Sequence, residues 1–163
     1  MFREMRRKNQ QLTAEEAVKV LEKGTSGVLS LMGDDGYTYG VPLSYVYDDG
    51  KIYFHSAGEG HKIDAIKNHD RVSFCVIDED TIVPEKFTSF FRSAIAFGRV
   101  RLMERAEVRR VLDMLSIKYS PNEGEARMAE VESCVETVCM IEFDIEYLTG
   151  KEAIEYARER KRD

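Results

Sequence analysis

A mainly β chain with peripheral helices, of the α+β class, is predicted by three features of this 163-residue sequence. Segments rich in Val, Ile, Tyr, Phe and Leu come in runs and do not alternate strictly with helices, which favours a small antiparallel barrel over a doubly wound sheet. Two acidic-glycine turns, Asp34-Asp35-Gly36 and Asp48-Asp49-Gly50, separate the first three of these segments and predict an antiparallel meander. Gly98 lies within a long strand-like stretch, where glycine marks a bulge or bend of the kind that closes a barrel.

A helix opens the fold. Thr13 and Glu16 make a capping box, Leu12 staples onto Ala17, and Gly24 ends the run. Strands are expected over 27–32, 37–47, 51–55 and 71–78, with one helix over 61–68 between the last two. After an irregular stretch around Pro84, a long strand is expected over 89–103. A helix over 106–119 gathers Val108, Val111, Leu112, Leu115 and Ile117 mostly on one side, and Pro121 and Gly124 separate it from a second helix over 125–133. The last strand, over 135–146, alternates Thr137, Cys139, Ile141, Phe143 and Ile145, and Gly150 leads into a charged, solvent-exposed helical tail over 151–163. No repeat, linker or low-complexity segment interrupts the chain, so residues 1–163 read as a single domain.

Composition narrows the function. With 43% hydrophobic and 33% charged residues the chain reads as soluble, and no apolar run approaches the roughly 20 residues that span a bilayer. The formal net charge of −6 argues against a general nucleic-acid binder, so any phosphate must be met by a local pocket. The basic start MFREMRRKNQQ lacks the apolar stretch of a secretory signal, and Cys75, Cys134 and Cys139 are odd in number with no CxxC spacing. Reduced thiols in a cytoplasmic protein, and no bound metal, are the expectation.

The segment KIYFHSAGEGHKIDAIKNHDRVSF carries the functional signal. A strand breaks into a loop with Gly58 and Gly60, and a helix restarts near His61, offering unpaired N–H groups and the positive end of its dipole to an anion. Lys62 in the first helical turn opposes that dipole, which points to a negative ligand. The competing reading is an ordinary strand-to-helix turn with a solvated lysine. GEGHKI matches neither GxGxxG nor GxxxxGK[ST], which turns the reading from dinucleotides and triphosphates to a phosphate monoester.

The stretch YGVPLSYVYDDGKIYFHSAGEGHKIDAIKNHDRVSF, followed by FRSAIAFGRVRLM, resembles the FMN-binding split-barrel proteins related to pyridoxamine 5'-phosphate oxidase, nearest to the nitroimidazole-resistance branch. The resemblance runs from the first helix to about Gly150. It implies a six-stranded antiparallel split β-barrel, a homodimer, and one FMN in each of two grooves at the dimer interface. It also implies a flavin oxidoreductase acting on a small aromatic or nitro-substituted substrate. Two alternatives stay open: a non-catalytic flavin- or haem-binding module, and a pyridoxamine phosphate oxidase-like enzyme. The absence of tryptophan and the ending IEYARERKRD disfavour the last.

By the resemblance, Val41, Pro42, Leu43 and Ser44 run under the flavin ring and offer it backbone groups. His55 and Ser56 stand beside the flavin at a strand end, His61 and Lys62 grip the phosphate, and Ser93 with Arg92 adds a further polar contact to it. His55 is also the one catalytic candidate, as donor of a proton or hydrogen bond to a bound oxyanion or nitro group. The plainer readings are strand-end serines for Ser44, Ser56 and Ser93, a surface ion pair for Arg92, and a hydrogen-bonded core histidine for His55. Tyr45 and Phe91 are either pocket walls or core. His69 reads as solvent-facing.

Overall fold

In a computed structural model, which describes residues 1–160, the chain forms one sheet of seven strands in the order β2-β1-β5-β6-β7-β4-β3. The elements are α1 (Ala14–Lys23), β1 (Ser26–Met32), β2 (Thr38–Ser44), β3 (Val46–Asp48), β4 (Lys51–Ser56), α2 (His61–Asn68), β5 (Arg71–Val83), β6 (Thr88–Leu102), α3 (Arg105–Tyr119), α4 (Gly124–Cys134), β7 (Cys139–Glu152) and α5 (Ile154–Glu159). Every pairing is antiparallel. No helix among the described residues is long and apolar enough to cross a membrane.

The local signals work as expected at several points. Glu16 N–H donates to Thr13 Oγ1 at 3.2 Å and Thr13 N–H donates to Glu16 Oε2 at 2.7 Å, closing the capping box that starts α1. Asp49 and Gly50, with φ of 43° and 81°, make the two-residue turn of the β3–β4 hairpin. The register of β6 against β7 shifts between Phe97 and Gly98, so the bulge falls where the glycine predicted it.

Seven strands replace the expected six because the strand predicted over 37–47 divides at Tyr45. The Tyr45 N–H donates to the Tyr119 hydroxyl at 2.9 Å, and the Tyr45 carbonyl faces the same hydroxyl at 2.9 Å. The buried Tyr45 ring packs edge-on to Phe74 at 4.9 Å, and its own hydroxyl donates to the Leu21 carbonyl at 2.6 Å. A backbone unit engaged by a side chain cannot also serve a ladder. The meander therefore becomes two hairpins, β1–β2 and β3–β4, at opposite ends of the strand order. Among the described residues no ladder joins β2 to β3, so the two ends meet in the chain at Tyr45 without a hydrogen-bonded seam.

The Tyr119→Phe protein is expected to leave the Tyr45 N–H unpaired, at about 1–3 kcal/mol. A urea midpoint lowered with an unchanged slope would show it; an unmoved midpoint would mean that the corner holds without Tyr119.

The last strand is later and longer than expected. Residues 135–138 turn back on α4, with the Thr137 and Val138 N–H groups donating to Cys134 O at 3.0 and 2.9 Å. Gly150 lies inside β7; a Cβ there would come within 2.9 Å of Ala17 Cβ and of Leu12 Cδ1, so the glycine lets α1 rest on the strand. Nor is the tail wholly exposed. Ala153 and Ala157 are buried, and Arg160 reaches Glu16 at 2.6 Å and the buried Glu152 at 3.0 Å. The expected tail's end, residues 161–163, lies outside the described residues.

The core falls into two parts. Phe54, Phe74, Phe143, Leu29 and Ile141 pack with Leu21 of α1 and Ile63 of α2, all essentially inaccessible. A smaller cluster of Val46, Tyr53 and Met140 is covered by Val108, Val111 and Leu115 of α3, while Ile117, expected on the same side, is exposed. Burial on this scale, at about 25 cal/mol per Å² of apolar surface, holds α1, α2 and α3 against the sheet.

Candidate functional site

Gly60 caps α2 with φ of 110°, a conformation that side-chained residues rarely adopt, and no side chain caps the helix. The first N–H groups with backbone partners in this turn belong to Ile63 and Asp64, both donating to Gly60 O. The N–H groups of His61 and Lys62 are thereby left for another acceptor among the described residues. The His61 ring stacks on Tyr39 at 4.3 Å and 12°, tying this helix start to β2.

Lys62 is the unusual charge. Its ammonium is half-buried, and burial pushes its pKa below the usual value while the neighbouring Cys139 acts in the opposite direction. Among the described residues no carboxylate contributes to its state. Cys139 opens β7 and pairs with the buried Ser56 of β4. Ser56, Cys139, Lys62 and the Gly58–Gly60 turn therefore gather at one end of the sheet, with a positive charge and helix N–H groups that have no protein anion among the described residues.

β2 borders this place. As the end strand it keeps one edge outside the ladder, where the missing N–H of Pro42 is tolerated. Val41 and Leu43 pack on the core, whereas Pro42 and Ser44 are exposed. The side chains of Val41 and Leu43 are partly buried against the core, and their backbone lies on the strand with the free edge.

At the C-terminal end of β2, Ser44 lines a cleft together with His55. Alternation along β4 buries Ser56 and turns His55 outward, into this cleft of about 420 Å³ beneath α3 and α4. Leu112, Leu115 and Tyr119 of α3 and Val131 of α4 wall it. β2 runs from the Tyr39–His61 stack to Ser44 at the apolar cleft, while on β4 the adjacent His55 and Ser56 divide between the cleft and the charged place by strand alternation.

One expected convergence is absent within a single chain. Arg92 lies 3.5 Å from the buried Glu152 carboxylate, and its guanidinium stands 4.5 Å over the Tyr156 ring. Ser93 pairs with Ile77 and Lys151. Both lie at the Glu152 end of β7, whereas Lys62 lies at the Cys139 end, so one chain does not bring Arg92 and Ser93 onto the same anion as Lys62. Tyr45 is core. Phe91 is half-buried beneath the Lys151 ammonium at 5.1 Å.

Tyr39, Cys139 and the α3–α4 wall were not singled out in the sequence as site residues. Tyr39 and His61 meet only through the fold, and the helical apolar stripe of α3 carries no sign that its far end borders a cleft.

The sequence model of the pyridoxamine 5'-phosphate oxidase family matches residues 13–152. No curated protein matches the chain. Solved structures share the fold. A protein described as a 5-nitroimidazole antibiotic resistance protein, from Bacteroides thetaiotaomicron, is 20% identical over 87% of this chain and 86% of its own, with a TM-score of 0.72. A FAD-binding protein from Mesorhizobium loti is 25% identical over 88% of this chain and 97% of its own, with a TM-score of 0.61. A flavocytochrome from Azotobacter vinelandii is 18% identical over 92% of this chain and 72% of its own, with a TM-score of 0.76.

Proposed function

From the premise that this chain belongs to the pyridoxamine 5'-phosphate oxidase family, we propose that it is a flavoprotein oxidoreductase that binds FMN and reduces a small aromatic or nitro-substituted substrate. One observation carries the reading. A half-buried Lys62 without a carboxylate stands at a glycine-capped helix start, which the Tyr39–His61 stack ties to a free strand edge. A phosphate fits this donor set, since lysine, imidazole, hydroxyl and backbone N–H groups would satisfy its charge and acceptors.

His61, Lys62 and Ser56 would hold the phosphate, and the backbone of Val41–Ser44 would border the ring. FMN when bound supplies the electron-transfer chemistry, and the chain supplies orientation, hydrogen bonds and a place for substrate. His55 would hold a hydrogen bond, or deliver a proton, to an oxyanion or nitro group of the substrate.

A second copy belongs to the proposal. Pro42, Val28, Cys75 and Ile95 lie in register across β2, β1, β5 and β6, and Val28 and Ile95 are exposed beside Ile77 and Phe97. An apolar sheet face of this kind calls for a cover, and a homodimer would cover it by symmetry. Arg92 and Ser93 stay in the reading as contributors across that interface. Cytoplasmic residence goes with it, on the three free thiols.

FMN added to the purified protein and followed by desalting is expected to leave about one flavin per chain, read by absorbance. A colourless protein would sink the reading. FAD retained in place of FMN, identified by mass after heat release, would change the cofactor and keep the site; the Mesorhizobium loti protein makes that comparison pertinent. Light scattering is expected to give a dimeric mass, and a flavin-loaded monomer would remove the shared groove. His55→Ala is expected to keep flavin and lose substrate reduction. If no reduction exists to lose, the non-catalytic module, which the flavocytochrome neighbour brings into view, becomes the better account.

A further inference from the structure

We infer that the cleft beside His55 is a substrate pocket selective for an uncharged, ring-sized molecule and against a phosphate-bearing one. The inference deepens the flavoprotein reading and rests on it, since it takes His55 as the group that meets substrate. The cleft, about 420 Å³, lies within the usual range for small-molecule sites, and Leu112, Leu115 and Val131 give it apolar walls.

Its polar groups are few, and most are already engaged. The Ser116 hydroxyl donates to Asp113 O at 2.7 Å, and the Tyr119 hydroxyl is held by the Tyr45 backbone and Thr25 O. His55 and Ser44 remain to orient a ligand. Among the described residues, Glu130 is the one carboxylate in the wall, and neither lysine nor arginine lines it.

The cations of α3 are committed elsewhere. Arg105 donates to the carbonyls of Val135 and Val138 at 2.8 and 3.0 Å. Arg109 pairs with Glu132 at 2.8 Å, Arg110 with Asp48 at 2.9 Å, and Lys118 donates to Gly24 O at 2.6 Å. Arg127, one turn before Val131 on α4, is not part of the wall. A phosphate entering here would shed water for an apolar wall and meet Glu130. The chain supplies positive charge and helix N–H groups for such a group at Lys62, beside Ser56 and Cys139, with Ser56 turned to the face of β4 opposite His55. The two parts of the site thus differ in the charge they accept.

The test titrates p-cresol and its phosphate monoester, p-tolyl phosphate, into the flavin-loaded protein and follows the labelled methyl groups of Leu112, Leu115 and Val131 by NMR. Flavin content is read separately by absorbance, so a colourless protein counts against the cofactor reading while the methyl titration still decides the pocket. p-Cresol is expected to shift these methyls saturably, with p-tolyl phosphate about tenfold weaker or more. Glu130→Lys is expected to narrow that gap. If this variant does not fold, the wild-type pair of titrations decides alone. Phosphate monoester binding as tight as p-cresol, which would bring Arg127 into the wall, overturns the inference, as does a set of methyls that neither compound moves.

Discussion

Replacing Gly98 with alanine is expected to cost the fold at least about 3 kcal/mol and to leave little soluble protein. A Cβ at Gly98 would lie 1.9 Å from Asp144 O and 2.7 Å from the Phe143 ring. Neither neighbour can yield. Asp144 O belongs to the backbone of β7, and Phe143 is completely buried in the main core. The bulge between Phe97 and Gly98 brings β6 against β7 at this point, so relief would pull apart the two strands at the centre of the sheet. Gly58→Ala is the matched control, because a Cβ there meets nothing within 4 Å. Its urea midpoint should match the parent. A Gly98→Ala protein within about 0.5 kcal/mol of the parent would show that β6 re-registers more freely than this packing allows.

The parts of the fold that follow from local chemistry were legible in the sequence. Thr13 and Glu16 mark the start of α1, Asp49-Gly50 marks a hairpin, and Gly98 marks a bulge, because each signal sits within a few residues of its effect. The strand break at Tyr45 was not legible, since its cause is the hydroxyl of Tyr119 on a helix that packs across the sheet end. Gly150 misled in the same way. It reads as a strand terminator and serves instead to admit α1, whose Leu12 and Ala17 contacts are set by tertiary packing.

At the site, Gly60 and Lys62 were legible as a candidate anion cradle because a glycine cap and an opposed dipole are local facts. The company they keep is not local. Tyr39 and Cys139 reach the cradle only when β2 and β7 come to one end of the sheet, and Arg92 and Ser93 fall at the opposite end of β7 for the same reason.

Lys62→Met is expected to weaken flavin phosphate binding about 100-fold while leaving the flavin-free protein at least as stable as the parent at neutral pH. The two effects have one origin. Burial lowers the Lys62 pKa from its ordinary 10.5, so in the flavin-free chain the charged form is disfavoured relative to the unfolded state. The sign follows. A folded pKa below the unfolded one penalises the fold where both states are protonated, and the penalty lifts as pH rises through the folded pKa towards the unfolded one. Methionine removes the charge and with it the penalty, but it also removes the attraction that a phosphate would feel. Flavin affinity in the parent should rise as the phosphate takes its second negative charge near about pH 6. It should then hold and fall again as Lys62 loses its proton below the usual lysine range; in Lys62→Met that alkaline fall should be missing. Fluorescence quenching titrations of FMN across pH, paired with urea unfolding of both flavin-free proteins, read the two effects independently. A Lys62→Met protein that binds flavin like its parent and unfolds more easily would make Lys62 a packing residue, and the glycine-capped turn would lose its claim to a phosphate.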